Sequence, residues 1–109
     1  MNEKGYATLP AAAIIAALVF LAALLGAAGA MVVAQHRAHV AAELAAVAGA
    51  WAHSRGEDAC AVASTVAELN GAKMRHCLVD GADVQVESRV GFSSPTKGAA
   101  LGQARAGPL

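Results

Sequence analysis

From Ala11 to Ala34 the chain reads AAAIIAALVFLAALLGAAGAMVVA, 24 residues without a charge or a proline. A helix needs about 20 predominantly apolar residues to cross a bilayer, so this run is long enough to span one. Pro10 stands just ahead of it, where the first turn of a helix does not need the N–H that proline lacks. Thr8 is placed to cap that turn. A soluble protein would have to cover such a helix on every side, and the about 75 residues that follow Val33 are too few to do so. The rival is a secretory signal removed after Ala30, because Ala28-Gly29-Ala30 has the small-x-small form of a signal peptidase site. Against it stand the length of the run, well beyond the roughly 7–15 residues of a signal core, and a leader with a single Lys. Flanking charge leaves orientation nearly balanced: Lys4 lies on one side and Arg37 on the other, and the α-amino group tips the N-terminus toward the cytoplasm.

Within the run, Ala22, Gly26 and Ala30 form a small-xxx-small ladder, a spacing that lets helix backbones approach closely in lipid. With 30 alanines in the chain, such a ladder also arises by chance.

Beyond the run the sequence continues QHRAHVAAELAAVAGAWAH, residues 35–53. Val40, Leu44, Val47 and Trp51 step by four, three and four, which places them on one helical face. Alanine, the best helix former, dominates, and no proline interrupts. The pattern predicts one helix from about residue 10 to about residue 53, half in lipid and half outside, with Gly49 a mild weakness and Ser54-Arg55-Gly56 its end. His36, His39 and Glu43 have the spacing of ligands on one helical face, but no Cys or further acid completes a metal site, and polar residues belong at a membrane border anyway.

The remainder predicts a small α+β unit. Glu57 and Asp58 favour a helix N-terminus. Cys60, Ala63, Val66 and Ala67 form an apolar stripe, and Asn70-Gly71 is a stop signal. Residues 73–79 read as a strand, Asp80-Gly81 as a hairpin turn, and residues 83–90 as a half-buried strand with Val84, Val86 and Val90 inward. Its alternation slips near Ser88, which predicts a bulge. Residues 93–98 read as a loop, and 100–106 as either a weak third strand or a frayed end. Cys60 and Cys77 are the only cysteines and form no CxxC motif. If this part is exported they pair as a disulfide; if it stays in the cytoplasm they are buried thiols.

Hydrophobic residues make up 57% of the chain and charged residues 15%, with zero net charge and no run of either sign. That composition excludes a basic nucleic-acid face. No Ser-His-Asp context, glycine-rich phosphate loop or HExxH motif is present, so the expectation is a non-enzymatic protein without a cofactor, a metal or a small-molecule substrate.

Three segments carry a family resemblance: KGYATLPAAAII at the start, HRAHVAAELAAVAGAWA after the apolar run, and the stretch from Cys60 to Cys77-Leu78-Val79-Asp80-Gly81. Together they resemble the small actinobacterial TadE-like proteins called helicase/secretion neighbourhood TadE-like. The likeness runs from Gly5 to about Val90, and the ending from Ala104 to Pro108 also fits. Ala41 to Ala50, AAELAAVAGA, is its most specific part, similar to the AADLAALAGA stretch of TadE/TadG-type proteins. The resemblance implies a pseudopilin or minor pilin of a Tad (Flp) pilus or related secretion system. Its partners would be pilin-like subunits, a membrane platform and, indirectly, an ATPase. It also implies prepilin processing after Gly5, leaving Tyr6 as the new N-terminus; Pro10 stands where pilins carry the glutamate five residues after the cut.

The expected organisation is a cytoplasmic leader at 1–9, a transmembrane helix at 10–34, a helix extension at 35–55, an extracytoplasmic α+β unit at 56–92, and a flexible tail or weak edge strand at 93–109. The expected location is the inner membrane, single-pass, with the N-terminus in the cytoplasm. A protein released by cleavage after Ala30, or an accessory subunit of a membrane complex, are the alternatives.

Overall fold

A computed structural model describes residues 3–92 and 98–108. The chain forms one long helix α1 (Glu3–Ser54), a second helix α2 (Ala59–Leu69), and three strands, β1 (Lys73–Asp80), β2 (Asp83–Phe92) and β3 (Gly98–Ala106). At 1.5 Å per residue, α1 alone accounts for about 78 Å of the molecule's longest dimension of 82 Å.

The expected long apolar helix, short second helix and antiparallel sheet are all present. The helix begins earlier than Pro10 suggested. Glu3 opens it, and Pro10 and Thr8 both lie inside it, so Thr8 is not the cap. Proline has no N–H to donate to the carbonyl four residues back, so the Tyr6 carbonyl loses one helical bond while the chain keeps its helical course. The C-terminal end falls where Ser54-Arg55-Gly56 placed it. Gly56 adopts a φ of 76°, and the Glu57 N–H donates to the Ala52 carbonyl at 2.9 Å, closing the last turn.

Asp58 caps α2, its Oδ1 accepting from the Ala61 N–H at 3.2 Å. At the other end Asn70 is the C-cap and Gly71 follows at φ 75°. The strands form an antiparallel meander in the order β1-β2-β3. The β1–β2 turn is the two-residue loop Gly81-Ala82, closed by the pair Asp80–Asp83. Gly81, at φ 60°, fills the first loop position, where a type II′ turn requires a positive φ.

One expectation about the strands is corrected, and one left open between two readings is decided. The irregularity near Ser88 belongs to β1: the register shifts between Met74 and His76, so Arg75 is the extra residue. β2 keeps strict alternation, with Val84, Val86, Ser88 and Val90 all buried. Ser88 looked like a slip because a polar residue holds a core position. Of the two readings of residues 100–106, the third strand holds: they belong to β3, which pairs with β2 from Gly98↔Phe92 to Ala106↔Val84. Gly98 belongs to that strand; the rest of the expected loop, 93–97, lies outside the described residues.

The core is built on alanine. Ala42, Ala45 and Ala46 of α1 meet Ala59, Ala63 and Ala67 of α2 and Val84 and Val86 of β2. A second cluster joins Ala34, Ala38 and Ala41 to Ala72, Val90 and Ala100, with Phe92 against it. Small side chains let the sheet and α2 approach α1 closely. A Cβ on Gly102 of β3 would collide with the Ala38 carbonyl group of α1. At Gly49, a Cβ would lie 3.1 Å from the Ala59 carbonyl oxygen and 3.2 Å from Val84 Cγ1, so this glycine marks where α1, α2 and β2 meet.

Candidate interaction surface

The C-terminal half of α1 has two faces with different fates. Ala38, Ala41, Ala45, Gly49 and Ala52 recur at spacings of three and four and are buried under α2 and the sheet. The Val40/Leu44/Val47/Trp51 stripe lies about 130° away around the helix, at 100° per residue. Leu44, Val47 and Trp51 are 46%, 49% and 64% exposed, and Val40 is half-buried. The protein's own small domain thus covers the alanine face and leaves the bulky apolar face bare. Sequence reasoning identified the bulky stripe but missed the alanine face as a packing surface, although its small-residue periodicity was there to be read.

The distal end of the stripe opens into an apolar groove of about 380 Å³. Val47, Ala50 and Trp51 line one wall, and Ala82, Ala106 and Pro108 contribute the other. His53 Nε2 donates to the Gly81 carbonyl at 2.9 Å and ties the end of α1 to the β1–β2 turn. Nearby, Arg105 reaches Asp83 through Nε at 2.8 Å and Nη2 at 2.5 Å, and lies 3.5 Å from Asp80. The hydrogen bond to Asp83, and then the charge of that carboxylate, hold the Arg105 guanidinium above its ordinary pKa. The outer face of the sheet is polar: Gln103 donates to Glu87 at 3.2 Å, and Arg75 lies 3.7 Å from the same carboxylate.

Among the described residues, the most apolar 18-residue window of α1 has no part buried, and the helix is long and apolar enough to cross a membrane. Ala22, Gly26 and Ala30 lie along it one turn apart, and nothing comes within 4 Å of a Cβ built on Gly26. Gly5 and Tyr6 lie in the first turns of α1, with the Tyr6 side chain exposed.

His39 and Glu43, one turn apart, are 2.9 Å from each other on the exposed surface. No group of three metal-ligating side chains occurs among the described residues. Cys60, on the first turn of α2, is bonded to Cys77 in the middle of β1, with Cα atoms 5.8 Å apart. This disulfide joins α2 to β1, the strand farthest in the sheet from β3.

No curated protein and no solved structure matches the chain. Residues 5–52 match the model of a family described as putative Flp pilus-assembly TadE/G-like. The match takes in the apolar half of α1, its alanine face and its bare stripe, and stops before α2 and the sheet. The long helix that organises this protein is therefore similar to a TadE/G-like pilus-assembly domain.

Proposed function

We propose that the protein is a structural component of Tad (Flp) pilus assembly or a related secretion system, of pseudopilin or minor-pilin type. In this reading α1 crosses the inner membrane once, residues 1–9 remain in the cytoplasm, and α2 and the sheet lie outside it. The Ala22/Gly26/Ala30 ladder packs against neighbouring helices in lipid, and the Val40/Leu44/Val47/Trp51 stripe packs against pilin-like helices or a membrane platform above it. The single observation that carries the proposal is the bare stripe. A helix matching a pilus-assembly domain keeps its large apolar side chains exposed while its own domain occupies the alanine face. A photo-crosslinking residue at Val47 in the native membrane tests it. Adducts with Tad-system subunits are expected; adducts with lipid alone, or none, would overturn the assembly role.

A second reading has a specific observation in its favour. Among the described residues, every buried core residue lies at or after Ala34. Cleavage after Ala30 would therefore release an intact folded domain starting at Met31. N-terminal sequencing of the mature protein separates the readings: Met1 marks an uncut anchor, Tyr6 a processed pseudopilin, and Met31 a released domain.

A further inference from the structure

β2 runs back down α1, from Asp83 near His53 to Phe92 near Ala34. Leu101 pairs with Arg89, and Arg89 with Lys73, so these three residues form one row across the sheet. That row is fixed to a level on α1, because Gln35 Nε2 donates to the Leu101 carbonyl at 2.7 Å. Arg37 lies two residues beyond Gln35, so Arg37, Lys73 and Arg89 share one level of the molecule, and all three are exposed. Among the described residues none of the three takes part in an ion pair; the pairs present use His39, Arg55, Arg75 and Arg105. At the opposite end Glu57, Asp58, Asp80 and Asp83 surround the end of α1 and the β1–β2 turn, with Arg55 and Arg105 paired among them, while Glu68 closes α2 five residues before Lys73.

The level of this row coincides with the end of the apolar run. From Leu101 to Gly98 the strand descends about 10 Å at roughly 3.3 Å per residue, equivalent to six or seven residues of helix at about 1.5 Å each. The Phe92–Gly98 end of the sheet thus overlaps the last turns of the run, and Ala34 is buried with Val90 and Ala100. If α1 spans a bilayer, headgroups lie at this level.

We infer that the membrane-proximal end of the domain is a lipid-binding surface: Arg37, Lys73 and Arg89 engage anionic phospholipid headgroups of the leaflet from which α1 emerges. The inference rests on the membrane-spanning reading of α1 and adds to it a lipid class and three binding residues. A cation near an anionic surface contributes about a five-fold preference, so three acting together favour anionic over zwitterionic lipid strongly and hold the domain upright against the bilayer.

The full chain in nanodiscs of phosphatidylcholine containing phosphatidylglycerol provides the test, with retained lipids counted by native mass spectrometry. The wild type retains phosphatidylglycerol in preference to phosphatidylcholine. The triple variant R37Q/K73Q/R89Q loses that preference at least ten-fold, with its disulfide and helical circular dichroism unchanged. The charge-preserving variant R37K/R89K keeps it. Incorporation into nanodiscs with equal retention of both lipids by wild type and triple variant would overturn the lipid site and leave the membrane anchor standing. Failure of the wild type to enter nanodiscs at all would overturn both.

Discussion

Ser88 donates its hydroxyl to the main-chain carbonyl of Ala38 at 2.5 Å, fully buried, joining the middle of β2 to the middle of α1 across fifty positions of sequence. Ala38 also lies beneath Gly102, the β3 partner of Ser88. One helical residue therefore receives both strands. The Ala38 carbonyl keeps its own helical partner when the serine is removed, so no buried acceptor is orphaned. Ser88→Ala should cost about 1 kcal/mol, read as a small drop in the thermal unfolding midpoint of the full chain in micelles.

Gly102→Ala and Gly49→Ala should differ sharply. At Gly102 the added methyl meets helix backbone, which cannot step aside, and overpacking of this kind costs about 1–3 kcal/mol. At Gly49 the nearest atom is 3.1 Å away, and alanine gains about 1 kcal/mol of helix propensity over glycine, which offsets the crowding. Thermal unfolding should show a clear loss for the first variant and a change within about 1 kcal/mol for the second.

Reduction of Cys60–Cys77 should destabilise the small domain much more than the helix. The bond spans 17 positions, and closing a loop of that size contributes about 3 kcal/mol in the chain-entropy account. Limited proteolysis with and without reductant should show new cuts in the α2–β1 region while the apolar half of α1 stays intact. Alkylation before reduction should label neither cysteine.

Gly26→Leu should leave the protein folded and impair its association. Among the described residues nothing lies within 4 Å of a Cβ built on Gly26, so a larger side chain starts into open space. In lipid, a leucine in the small-residue ladder would hold a neighbouring helix away. Unchanged circular dichroism with reduced co-purification of Tad-system partners is the expected result; undiminished co-purification and piliation would count against packing through this ladder.

The elements themselves were legible because each carries a local signal. The uncharged run, the alanine-rich continuation, Asp58 as a cap, Asn70-Gly71 as a stop and the alternation around Val84 and Val86 act over a few residues, and the fold obeys them. Signals failed where a local rule met a longer-range requirement. Pro10 would open a helix were the residues before it not themselves helical, and Ser88 would break a strand pattern did it not find the Ala38 carbonyl. The third strand carries little propensity of its own in Gly, Ala and Gln, and forms because β2 offers it an edge and α1 a close surface.

Sequence alone determined that this protein has a long apolar helix, a continuation of it with one bulky face, and a small α+β unit containing two cysteines, since periodicity, composition and capping are properties of neighbouring residues. Tertiary structure decided which helical face the unit covers. Only alanine and glycine let strands and α2 come within reach of the α1 backbone, so Ala38, Ala45 and Gly49 are buried while Trp51 is left outside. It also decided that Arg37, Lys73 and Arg89, far apart along the chain, stand at one level, because a strand register and a single hydrogen bond from Gln35 fix the sheet's height on the helix.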